Sequence, residues 1–395
     1  PIPLPVDEIS NSSGINELDD SAILRWHQEK SEPHHLIRNV RRSLWSDSEK
    51  KKMHKNAASF WSKIDNEKSL WLETFHKINS NDFDSSQISD KISIISEDDS
   101  ATAALLIEEA IKFEDNDNFR IKAVDIAFER AEYEIAEEHL PMIEDSPQKK
   151  LRLARLCRIN GDIDSALSLE EEALSQLSAA DKIRFTISMI VRKFDDRISR
   201  KIDNSLAREI LNEIHQIDFQ NLSDTDRFTA ELTLNLLKHS IALETSDLTL
   251  ASQSRTELEI ILSDNEEYLK MLDLRAKLAI SNTPELLELT LESVNSFIQD
   301  TSDQLKKIGI IHSALEVTKP NFPDWLIQYH DDLFQEPMRE DLAAYRRISA
   351  QCWYWRGIIH PNYRLSYWQE AIHRFRSAEC NNAANELLEK LTRSI

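Results

Sequence analysis

Apolar side chains recur at spacings of three and four along most of this chain. In 120–140 they fall at Ile121, Val124, Phe128, Ala131 and Ile135, and in 229–243 at Ala230, Leu234, Leu237 and Ile241. That period lines up one stripe of a helix, whereas a strand would alternate at every second residue. Nearer the N-terminus, Trp61, Ile64, Leu70, Trp71 and Phe75 can share one broad helical face. Polar residues mark helix starts. Thr283, Pro284 and Glu285 read as N-cap, first and second helical positions, and Ser178 with Asp181 resembles a capping box with Asp in place of the usual Glu. The pattern predicts about eighteen helices of roughly 10–20 residues joined by short turns.

Composition divides the chain. Residues 1–18 combine three prolines with Ser, Asn and Gly and read as an extended arm or linker. Residues 19–80 read as a small N-terminal helical unit, and the Ser-, Asp- and Asn-rich stretch 79–99 as a boundary. Residues 100–317 form a repetitively amphipathic body, and 318–395 a C-terminal helical unit rich in Arg and aromatics. Residues 81–300 hold 46 acidic and 24 basic side chains and so carry the whole net charge of −22, while all eight Trp lie outside them.

Only four glycines occur, at 14, 161, 309 and 357. Glycine supplies positive φ, tight hairpins and phosphate-cradling loops, so its scarcity argues against β-sandwiches, dinucleotide-binding units and P-loops together. Many short helices in a long chain point to stacked pairs. In LRLARLCRINGDIDSALSLEEEAL (151–174), small residues fall at Ala154, Gly161, Ala166 and Ala173. This spacing resembles the tetratricopeptide repeat, whose two helices approach closely through small residues around a turn. The sequence departs from that family at Cys157, where Tyr is usual, at Glu170, where a large apolar residue is usual, and at Ser178, where Pro is usual. The resemblance implies an all-α fold, an α-solenoid of stacked antiparallel helix pairs with degenerate repeats, and an inclination to bind proteins.

No GxGxxG, GxxxxGK[ST], HExxH, GxSxG or paired-Cys motif is present, so no catalytic residue, metal ligand or cofactor is assigned and an enzyme is not expected. Two basic patches stand out. One holds Arg38, Arg41, Arg42, Lys50, Lys51 and Lys52. The other, within 343–378, holds Arg346, Arg347, Trp353, Trp355, Arg356, Tyr363, Arg364 and Trp368. Interleaved Arg and aromatics suit a protein contact, stacking on single-stranded nucleic acid, or a helical core with Arg on its surface. The basic ends could also meet the acidic middle, in the same chain or in another copy. The acidic balance disfavours nucleic acid and anionic membranes for the body and favours a partner with a basic surface.

Three cysteines without a pairing framework suggest a reducing, cytoplasmic compartment. The leading expectation is a non-enzymatic scaffold, adaptor or regulatory subunit that binds a protein. The alternatives are a nucleic-acid-associated module and a sensor domain of a larger signalling or defence protein.

Overall fold

A computed structural model describes residues 4–5, 24–27, 30–33, 43–64, 68–198, 201–335, 338 and 340–394. The chain forms two compact units, Pro1–Ala123 and Val124–Ile395.

The first unit opens with three short strands, β1 (Leu4–Pro5), β2 (Leu24–His27) and β3 (Lys30–Pro33). They pair antiparallel in the order β1-β3-β2, with Leu4 opposite Ser31 and Leu24 opposite Pro33. Part of the stretch read as an arm and a helical unit is therefore a small sheet. The strands are too short for alternation to register in the sequence. Four helices follow: α1 (Asp47–Trp61), α2 (Ser69–Ser80), α3 (Ser85–Asp98) and α4 (Ser100–Phe113). Ser46 and Glu49 close a capping box at the start of α1, with Ser46 N–H donating to Glu49 Oε2 at 2.8 Å. The α2 helix packs on α1, α3 and α4.

The stretch 79–99, read as a boundary, is mostly helix inside the first unit. Asp84 caps α3 by accepting from Gln87 N, Asp99 caps α4 by accepting from Thr102 N, and Ile88, Ile92 and Ile95 are buried. Its polar residues serve as caps, and three of its four isoleucines hold the helix in the core while Ile94 is exposed. The division between the units falls later, within α5 (Asp117–Glu129).

The second unit continues with α6 (Tyr133–His139), α7 (Pro147–Ile159), α8 (Ile163–Gln176), α9 (Ala179–Asp195), α10 (Asn204–His215), α11 (Asp224–Thr245) and α12 (Leu248–Ile261). Then come α13 (Glu266–Ile280), α14 (Pro284–Asp300), α15 (Gln304–Thr318), α16 (Asp324–Asp332), α17 (Ala343–Ile359), α18 (Arg364–Ser377) and α19 (Asn381–Ser394), making nineteen helices among the described residues. From α9 to α19 each helix packs on its successor, and α9, α11, α13 and α15 also touch next-but-one neighbours. Contacts to the next and next-but-one helix are the signature of stacked antiparallel pairs, so the second unit is an all-α helical-repeat array. One apolar cluster joins Ile190, Ile210, Leu234 and Ile241, and a larger one runs from Leu258 through Phe297 and Trp355 to Leu391.

The stripe over 120–140 is interrupted. Arg130–Glu132 form a turn in which Ala131 takes φ 57°, and Glu132 N–H donates to Ala127 O at 2.8 Å. Phe128 is buried in α5, while Ile135 belongs to the separate helix α6 and is exposed. The residues 318–395 do not stand apart either. They belong to the same compact unit as the acidic repeats.

The tetratricopeptide-like stretch is the hairpin of α7 and α8, which pack on each other. Ala154, Ala166 and Ala173 are fully buried, and Gly161 turns the chain at φ 83°. Two departures from the repeat have local explanations. Glu170 is buried but forms a bidentate pair with Arg158, at 2.9 and 2.5 Å, so an ion pair replaces the large apolar residue. Ser178 caps α9, its hydroxyl accepting from Asp181 N at 3.1 Å and donating to the Asp181 carboxylate at 2.7 Å. Thr283 likewise caps α14 by accepting from Leu286 N at 3.2 Å.

Candidate functional site

The last helices of the second unit return to its first ones, and the residues that make this seam come mostly from the Arg-rich segment. Arg346, at 5% exposure, sits near the start of α17. Its guanidinium donates to Glu129 O at 2.6 Å, Ser377 O at 2.9 Å, Glu340 O at 3.0 Å and Phe128 O at 3.5 Å. Phe128 and Glu129 end α5 and Ser377 ends α18, so one cation satisfies the carbonyl ends of two helices. Burial works against its charge, partly offset by Tyr133, Glu129 and Glu379. Arg347 pairs with Asp195 at the end of α9, at 2.9 Å to the carboxylate and 3.0 Å to the carbonyl.

The next residue, Asp196, accepts from Ala383 N at 2.9 Å and Asn382 N at 3.1 Å and so caps α19 from 186 residues away. Its carboxyl is held above the usual range by burial, against the pull of those two amides. Arg155 on α7 forms a bidentate pair with Glu379 and lies over the Phe128 ring, 4.5 Å from its centroid. Glu379 stands at φ 61° in the turn between α18 and α19. Cys380 beside it is buried, which pushes its thiol up to about 12.

The other residues singled out from sequence take different places. Trp355 and Trp368 are buried, and Trp368 Nε1 donates to Tyr354 O at 3.1 Å. Trp353 is half-buried, with its ring centroid 4.9 Å from Phe334. Arg356 stacks over Phe334 at 4.1 Å, and Arg364 donates to Gly357 O at 3.2 Å. Tyr363 projects into solvent at 64% exposure. Its ring still lies 5.9 Å from that of Tyr367, so all eight are engaged within the chain. The physical reason is that carbonyl ends, carboxylates and ring faces of the same unit take up the Arg side chains. In the other patch, Lys50, Lys51 and Lys52 are exposed on α1, with Lys50 at 3.2 Å from Asp47. Arg38, Arg41 and Arg42 lie outside the described residues.

A cavity of about 480 Å³ opens at the seam. Arg155, Arg184, Arg192 and Arg347 line it with Asp195, Asp226 and Glu379, and Ile187, Val191 and Leu222 supply apolar wall. Sequence reading passed over Arg155, Arg192, Asp195, Asp196 and Glu379. Nothing in their own neighbourhoods marks them: Arg155 meets Glu379, Asp195 meets Arg347 and Asp196 meets Ala383 across 150 residues or more, and Arg192 forms no ion pair among the described residues.

No family model matches the chain, and no curated protein matches it. Among solved structures it is similar to the crystal structure of a Signal Transduction ATPase with Numerous Domains, a protein with a tetratricopeptide repeat sensor from Pyrococcus horikoshii. The identity is 12% and the TM-score 0.29, over 99% of this chain and 51% of that one. The chain thus spans about half the length of that protein. At this TM-score the likeness supports neither fold nor function, and the fold stands on the helix packing alone.

Proposed function

We propose that this chain is a non-enzymatic protein-binding module, a scaffold, adaptor or regulatory subunit, whose partner presents a basic surface with apolar residues. The supporting observation is the outer face of α14. Leu286 and Leu289, three residues apart on one side of the helix, are 42% and 62% exposed. Around them Glu285, Glu288 and Glu292 are exposed and take part in no ion pair among the described residues. Apolar anchors framed by unpaired carboxylates match the anatomy of an interface with an electropositive partner.

No helix among the described residues is long and apolar enough to cross a membrane. The engagement of the C-terminal Arg residues within the chain weakens the nucleic-acid alternative.

The test is purification from native cells after nuclease treatment, with wild type beside the double variant Leu286→Ser, Leu289→Ser. A stoichiometric protein that wild type retains, that salt releases and that the folded variant fails to hold supports the reading. A partner held equally by both, or none, removes this face from it.

A further inference from the structure

Four arginines line the cavity at the seam. Three of its arginines have partners: Arg155 with Glu379, Arg184 with Asp226 at 2.6 Å, and Arg347 with Asp195. The fourth, Arg192 on α9, forms no ion pair among the described residues, and its guanidinium makes only a 4.0 Å contact with Met189 Sδ. It is half-buried and also lines a second cavity of about 340 Å³, alongside Arg155 and Arg184. Burial disfavours its charged form; Glu379 and Glu170 offset this in part, while Arg155 and Arg158 add repulsion. A guanidinium keeps its proton under such conditions, so the cavity wall presents a charged donor group that no carboxylate pairs directly among the described residues.

We infer that the seam cavity is a binding site for a small amphipathic anion, with its oxyanion head on Arg192 and its apolar body against Ile187, Val191 and Leu222. The planar guanidinium presents paired donors that fit a carboxylate or a phosphoryl oxygen pair. The volume falls in the range of small-ligand pockets, about 300–1,000 Å³. Because α9 supplies one wall and the Ala343, Ala344 and Ala378 region the other, a bound ligand would bridge the early and late helices of the unit. This inference goes beyond the protein-binding reading and does not depend on it, since the α14 face lines no part of this cavity.

The test is calorimetric titration of the full chain with sodium octanoate, octyl phosphate and octanol, repeated with Arg192→Gln and with Lys182→Gln, an exposed cation on the same helix. Octanoate or octyl phosphate should bind and raise the melting temperature; which of the two binds more tightly separates a carboxylate from a phosphate ligand. Octanol should not bind. Arg192→Gln should weaken the anion about tenfold or more, and Lys182→Gln should leave it unchanged. Octanol binding as tightly as the anions, equal binding by Arg192→Gln, or no binding of either anion at millimolar concentration would each overturn the inference. Circular dichroism of Arg192→Gln keeps loss of the site distinct from loss of the fold.

Discussion

The hairpin of α7 and α8 and the segment 343–378 are both built around residues that stand out in the sequence, yet they stand out for opposite reasons. In the hairpin the informative residues are small. Ala154, Ala166 and Ala173 are fully buried where the helices meet, and everything they need lies within 25 residues. In the late segment the informative residues are large and charged, and they lock distant elements: Arg346 reaches Phe128 and Glu129, more than 200 positions away. Local spacing reports local packing. Arg and aromatic enrichment reports that a strong contact is made, without saying whether the other side is a partner or the same chain.

The sharpest way to break this comparison is Arg346→Glu. It removes four hydrogen bonds, leaves buried carbonyls without donors and places a carboxylate among them. We expect a loss of about 3–5 kcal/mol, the scale for breaking a buried charged contact. Urea unfolding followed by fluorescence of the buried Trp355 and Trp368 measures it. If the variant unfolds at the wild-type midpoint, the seam does not hold the late helices in place.

The two regions also differ in their response to acid. The alanine contacts of the hairpin contain nothing that titrates, whereas the late core buries His330, whose imidazole is pulled down to about 4 by burial, with Asp331 only partly opposing. An unfolded His takes up its proton below about 6.5. Between those two values the unfolded chain binds more protons than the folded one, so stability present at neutral pH is lost as pH falls from 6.5 toward 4. The contribution is about 3 kcal/mol at most. Urea midpoints at pH 7 and pH 5, for wild type and His330→Phe, isolate it: the drop should shrink in the variant, and an equal drop would place the acid sensitivity elsewhere.

What the sequence made legible follows the same line. Helix texture, the caps at Ser178 and Thr283, and the turn at Gly161 rest on neighbours within a few residues, and each stands in the structure. The seam does not, because Arg346 donates to backbone carbonyls, and a carbonyl is present at every position and leaves no sequence signature. Asp196 is another case. It caps a helix, but one that begins 185 residues later, so no local rule finds it. The stripe through Ala131 misled for a related reason: period alone does not see a left-handed turn at an alanine.

Two glycines reduce the comparison to single atoms, and their substitutions carry the smaller expected effects. Gly357 lies in α17 with Trp368 against it, so an added methyl would overlap the indole ring. Gly357→Ala should cost about 1–3 kcal/mol through overpacking, since the ring is itself held by the bond to Tyr354 O. Gly161 is the reverse case. Nothing lies within 4 Å of a methyl placed there, but φ is 83°. Gly161→Ala therefore meets only backbone strain, about 1–2 kcal/mol, less the 0.4–1 kcal/mol or so gained by stiffening the unfolded chain. Asparagine separates the two causes, because it tolerates left-handed backbone but is larger than alanine. Gly161→Asn should be milder than Gly161→Ala, and Gly357→Asn harsher than Gly357→Ala, in thermal melts of the four variants. The same order at both positions would mean that the turn of the repeat is held by space rather than by conformation.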